Sequence, residues 1–126
     1  MTSIDELPDF DEMWAILEYI EEHESEWDQS AWAFRHPTCG TTLCFAGFAV
    51  TRAGYTLMWG SLPHASFCAD LSAEQPEDEW IEVVARRVLR LNESEAERLF
   101  RGANTLDDLR VAIRVIEASY GVGSDF

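Results

Sequence analysis

Between Asp9 and about Glu24, Phe10, Met13, Trp14, Leu17 and Ile20 recur at three- and four-residue spacing, with acids filling most of the opposite positions. That period predicts an amphipathic helix with its apolar face on a core and its acidic face in solvent. Asp9, followed three residues later by Glu12, supplies an N-terminal cap. The stretch Ser25 to Thr38 carries Trp27, Trp32 and Phe34 with neither helical nor alternating period and ends at His36-Pro37, so it reads as an ordered loop. Leu43 to Val50 is an eight-residue apolar run. A buried strand competes with a buried helix here; Ala46, Gly47 and Ala49 are poor strand residues and permit close packing, which favours a short buried helix capped near Gly40-Thr41. Arg52-Ala53-Gly54 suits its end.

Tyr55 to Trp59 reads as a short strand or an extended stretch, and Gly60 and Pro63 break regularity up to about Leu71. Pro76 then stands at a first helical position ahead of Trp80, Ile81, Val84, Val88 and Leu91, which predicts a second amphipathic helix. Asn92 and Ser94 restart the chain into a short helix bearing Ala96, Leu99 and Phe100 and ending near Gly102. Thr105 with Asp108 caps a last helix, along which Leu106, Leu109, Ile113, Ile116 and Tyr120 repeat until Gly121 stops it. The expected fold is therefore all-α, one domain over residues 1–126 with four to five helices and a short tail at 121–126. Its core would come from the first helix, the Cys-Gly-Thr helix and the last helix.

Composition agrees with a single core: 126 residues, 47% hydrophobic with five tryptophans, fold without metals or crosslinks. No run approaches the roughly 20 apolar residues of a membrane span. The N-terminus carries neither the basic region nor the apolar run of an export signal, so a cytoplasmic location is expected. An odd set of three cysteines, Cys39, Cys44 and Cys68, does not make a disulfide framework and reads as reduced thiols.

Charge changes the picture most. Twenty-four acids face nine bases, all arginine, for a formal net charge of −15. Eleven of the acids precede the first base, Arg35, while seven of the nine arginines lie in the C-terminal third, from Arg86 to Arg114. A field of this sign repels nucleic-acid backbones and anionic lipid and attracts basic protein surfaces. The expected partner is thus a protein with a basic surface, met by Glu18, Glu21, Glu22 and Glu24 on the outer face of the first helix; direct nucleic-acid binding and membrane binding are not expected.

Three landmarks stand together: Glu26-Trp27-Asp28-Gln29, the Cys-Gly-Thr-x-x-Cys-x-Ala-Gly-x-Ala block holding Cys39, Gly40, Thr41, Cys44, Ala46 and Gly47, and Glu95-Ala96-x-x-Leu99-Phe100 with Asn104-Thr105-Leu106-x-Asp108-Leu109. In these the chain resembles a family of small uncharacterised proteins of actinobacteria and their bacteriophages, over most of its length. The resemblance implies a source and a compartment, the host cytoplasm if the protein is phage-encoded, and no reaction. Relatives often carry Trp or His after the block's glycine; Phe48 here removes any metal ligand or proton carrier at that position.

The residues permit a rival chemistry, a thiol- or zinc-dependent protein built on Cys39, Cys44 and Cys68 with His36 and His64 nearby. Zinc sites commonly pair cysteines with two to four residues between them; Cys39 and Cys44, separated by four intervening residues, stand at the wide limit of that spacing, and no second knuckle follows. A Cys-His nucleophile needs an orienting group and an oxyanion site as well. No phosphate loop, nucleophile elbow or His-Glu-x-x-His pair is present. The expectation is no catalytic residue, no cofactor and no metal, and a non-enzymatic binding module, for instance a modulator of a host protein or a nucleic-acid mimic.

Overall fold

In the computed structural model, which describes residues 7–38 and 40–122, helix α1 (Phe10–Glu22) leads through a 3-10 turn (Glu24–Glu26) into a hairpin, β1 (Ala33–His36) and β2 (Gly40–Leu43). Helix α2 (Phe45–Arg52) follows, then β3 (Thr56–Met58), β4 (Phe67–Ala69) and β5 (Glu79–Trp80), and finally α3 (Ile81–Leu89), α4 (Glu93–Phe100) and α5 (Leu106–Ser119). The all-α expectation is overturned: two antiparallel sheets, β1-β2 and β3-β4-β5, accompany the helices. No described helix is long and apolar enough to cross a membrane.

The helices obey the periodicity of their residues. Met13, Ile16, Leu17 and Ile20 of α1 are buried, and the Asp9 carboxylate accepts the Glu12 N–H at 3.1 Å. Asn92 with Glu95, and Thr105 with Asp108, form reciprocal capping boxes at α4 and α5, satisfying donors that have no intrahelical partner. Helix α2 lies at the centre, with Phe45 to Val50 all buried, and packs chiefly on α3, while α1 packs on α5. Gly121 takes a left-handed φ of 76° just beyond α5, a conformation open to glycine without Cβ strain.

Strand β3 falls within the Tyr55–Trp59 stretch expected to be extended, whereas the other strands depart from the expectations for a common reason: each is two to four residues long, too short to show alternation, and each is fixed by a distant partner. Residues 33–36, expected in a loop, pair with Gly40–Leu43, which was expected to cap a helix, in the register Ala33↔Leu43 to His36↔Gly40. The apolar run thus divides, its front end in a strand and its remainder in α2. Thr56–Met58 pairs with Phe67–Ala69 from a region read as irregular.

The helix expected from Pro76 starts only at Ile81, because Glu79 and Trp80 pair with Cys68 and Phe67 and the Ile81 N–H bonds the Ser66 carbonyl at 2.9 Å. First-turn N–H groups have no partner within a helix, so a neighbouring strand can claim them. At the other end of α3, Arg90 turns left-handed at φ 57° and the Leu91 N–H returns to the Arg86 carbonyl at 2.9 Å, a Schellman closure without glycine.

Candidate functional site

The outer face of α1 follows from its inner one. With Met13, Ile16, Leu17 and Ile20 in the core, positions 18, 21 and 22 point outward; Glu18, Glu21 and Glu22 are exposed, and so is Glu24 in the next turn. Three of the four expected partner-binding acids therefore lie in the last turns of α1, and the fourth, Glu24, opens the 3-10 turn that follows. This is the wrong end for helix stability, because a helix C-terminus carries partial negative charge and α1 has no base in its last turn. Glu18 and Glu22, four residues apart, also repel each other. Among the described residues Glu21 alone of the four pairs with a cation, Arg110 at 2.6 Å, whose guanidinium also reaches Asp107 at 2.6 Å.

Neighbouring acids are committed to structure. Glu12 holds Arg52 through two contacts of 2.8 and 3.1 Å, and Glu26 accepts the Tyr19 hydroxyl at 2.7 Å, which pushes the Tyr19 pKa up. The arginine-rich C-terminal third lies against the acidic helix, with Arg114 placed 5.3 Å over the Trp14 ring and Trp14 Nε1–H donating to Glu117 at 2.9 Å. The two charge blocks of the sequence meet at the α1–α5 contact.

The Cys-Gly-Thr block is a junction between hairpin and helix. Cys39 lies outside the described residues. Gly40 begins β2 at a left-handed φ of 84°, Thr41 is exposed, and buried Thr42 lies 3.4 Å from His36 Nε2. Cys44 is the N-cap of α2 and Ala46 is buried behind it. Gly47 has no room for a side chain: a Cβ there would collide with the Trp32 carbonyl oxygen and come within 3.1 Å of Leu43 Cβ. The same carbonyl accepts the Cys44 N–H at 3.3 Å. The glycine lets β1, β2 and α2 close on one another.

Cys68 lies on β4 opposite Leu57, in a different sheet from the block. Burial, the largest influence on both, pushes the Cys44 and Cys68 thiols up to about 11. They are protonated at neutral pH, whereas metal ligation and nucleophilic attack use the thiolate. Among the described residues no three His, Cys, Asp or Glu side chains converge to hold a metal ion.

One feature escaped the sequence. Between α3 and α4 an open groove of about 330 Å³ is lined by Trp32, Val83, Ala96 and Phe100, with Glu82, Glu93, Glu97, Arg86 and Arg101 around them. The Trp32 and Phe100 rings meet edge to face at 6.4 Å. Val83 stands outside the apolar stripe of its helix, and that breach of the pattern was the available signal. No family model, curated protein or solved structure matches the chain.

Proposed function

We propose that this chain is a non-enzymatic protein-binding module that offers the acidic surface of α1 to a basic surface on its partner. The observation that carries the reading is the placement of exposed Glu18, Glu21 and Glu22 at the C-terminal end of α1 and of Glu24 just beyond it, without a base in the last turn of α1. Exposed charges against a helix dipole cost about 0.3 to 1 kcal/mol each, and a like-charged pair four apart a few tenths more. Stability does not account for such a cluster; electrostatic encounter with a cation-rich partner does. The Cys-Gly-Thr resemblance contributes only a source and a compartment; a phage-encoded modulator of a host protein is one form of the reading, and a nucleic-acid mimic, with carboxylates in place of phosphates, is another.

Joint replacement of Glu18, Glu21, Glu22 and Glu24 by Gln tests the proposal, since it removes charge and keeps size and helix propensity. The variant should keep its melting temperature to within a few degrees, because only the exposed Glu21–Arg110 pair is lost, worth about 0 to 1 kcal/mol. Association with a partner isolated by the wild type should slow, and its salt dependence should flatten. Unchanged affinity together with an unchanged salt slope would remove the proposal. Competition by duplex DNA for the same partner separates mimicry from other acidic recognition.

A further inference from the structure

Trp80, the last residue of β5 and the N-cap of α3, is 53% exposed, and Val83 in the first turn of α3 is 47% exposed. Val83 continues directly into the groove over Trp32, Ala96 and Phe100. The Phe67 ring lies 4.3 Å from the Trp80 ring, tilted by 31°, and Trp80 nonetheless stays half in water. Tryptophan is among the side chains enriched at the energetic centres of interfaces.

The rim of this strip is anionic. Glu77, Asp78, Glu82, Glu93 and Glu97 are exposed, and none has an ion pair among the described residues. Glu93 and Glu97 stand four apart on α4, a like-charge pair that an incoming cation relieves. Of the nearby bases, Arg87 is held by Glu79 at 3.0 Å and Arg86 donates to the Leu91 carbonyl at 3.2 Å, leaving Arg101 as the uncommitted one.

We infer that the α3–α4 groove, together with Trp80, docks a basic segment of a partner protein in which one or two large apolar side chains are flanked by arginine or lysine. This rests on the proposed binding of a basic protein surface and adds what carboxylates alone lack. Charge speeds encounter, whereas an apolar anchor in a groove prolongs the bound state. A second copy of the chain is disfavoured by the −15 net charge that both copies would carry. A small molecule is a poorer occupant: about 330 Å³ lies at the bottom of the range for such sites, and this groove is open along Val83 where small-molecule sites enclose most of their ligand.

The probe is a labelled synthetic peptide, Arg-Arg-Leu-Trp-Arg-Leu-Arg-Arg, compared with an equally charged peptide carrying serine in place of Leu and Trp. Fluorescence anisotropy near physiological salt should give about tenfold or tighter binding for the anchored peptide. Amide shifts in NMR should centre on Val83, Ala96, Glu97 and Phe100. Val83→Ser and Trp80→Ser should each weaken the anchored peptide about tenfold with unchanged circular dichroism. Val83→Ser, at a solvent-facing helix position, keeps the test open if losing the Phe67 contact unfolds the other variant. Equal binding of the two peptides, or shifts confined to α1, overturns the groove. Loss of binding in the α1 glutamine variant but not in Val83→Ser leaves the acidic-surface reading standing and removes the groove alone; insensitivity to both variants removes both.

Discussion

Gln29 is 6% exposed, and its side-chain amide is fully used: Oε1 accepts from Trp27 Nε1 and the Phe45 N–H, each at 3.0 Å, while Nε2 donates to the Leu99 and Arg101 carbonyls, each at 3.2 Å. One residue thereby ties the chain before β1 to the first donor of α2 and the last carbonyls of α4. Gln29→Met keeps much of the volume and removes all four bonds. Leu99 retains a bond from Asn104 Nδ2 at 3.2 Å and half-buried Trp27 can turn to water, so the Phe45 N–H and the Arg101 carbonyl bear most of the loss. At about 1 to 3 kcal/mol for each orphaned buried group, the expected cost is roughly 2 to 5 kcal/mol, a large part of the 5 to 15 kcal/mol that holds a domain together. Gln29→Glu sharpens the test by turning a carboxylate oxygen on the two carbonyls. Burial there raises the folded pKa of Glu above its unfolded value near 4.3, so the neutral acid, which can donate, is favoured in the folded state. The Glu variant should therefore regain stability relative to wild type as pH falls towards 4 and lose it as pH rises through that range. Urea unfolding at neutral and mildly acidic pH measures both effects. A cost below 1 kcal/mol for Gln29→Met at constant m-value, or no relative recovery of the Glu variant in acid, would refute the reasoning.

Gly47→Ala sets a helix-propensity gain of about 1 kcal/mol against a collision with the Trp32 carbonyl and the loss of its bond to the Cys44 N–H. A net destabilisation of about 1 to 3 kcal/mol by denaturant titration is expected, and any stabilisation would show that the contact yields freely. The Cys44 and Cys68 thiols, raised to about 11, should resist iodoacetamide in the native state at pH 8 and react on unfolding, as mapped by mass spectrometry. Since an unfolded thiol ionises near 8.5, the stability they contribute is complete below that pH and is lost as pH rises towards 11; a chelator should leave the melting temperature unchanged, and a fall on chelation would restore the metal reading.

Local chemistry wrote the helices into the sequence. The three- and four-residue spacing of Met13, Leu17 and Ile20, the Thr105–Asp108 capping box and the stop at Gly121 act within a few residues, so α1, α4 and α5 are legible from the chain alone. The outward Glu18, Glu21 and Glu22 follow from the same period. The sheets were decided elsewhere: nothing within Phe67–Ala69 states that it will pair with Thr56–Met58 on one side and Glu79–Trp80 on the other, because the hydrogen bonds that make a short strand belong to its partners. That pairing delayed α3 from Pro76 to Ile81 and left Trp80 on the surface. The roles of Gln29 and the α3–α4 groove are likewise properties of packing, since four donors and acceptors, or four apolar walls, converge only when segments up to 72 residues apart meet.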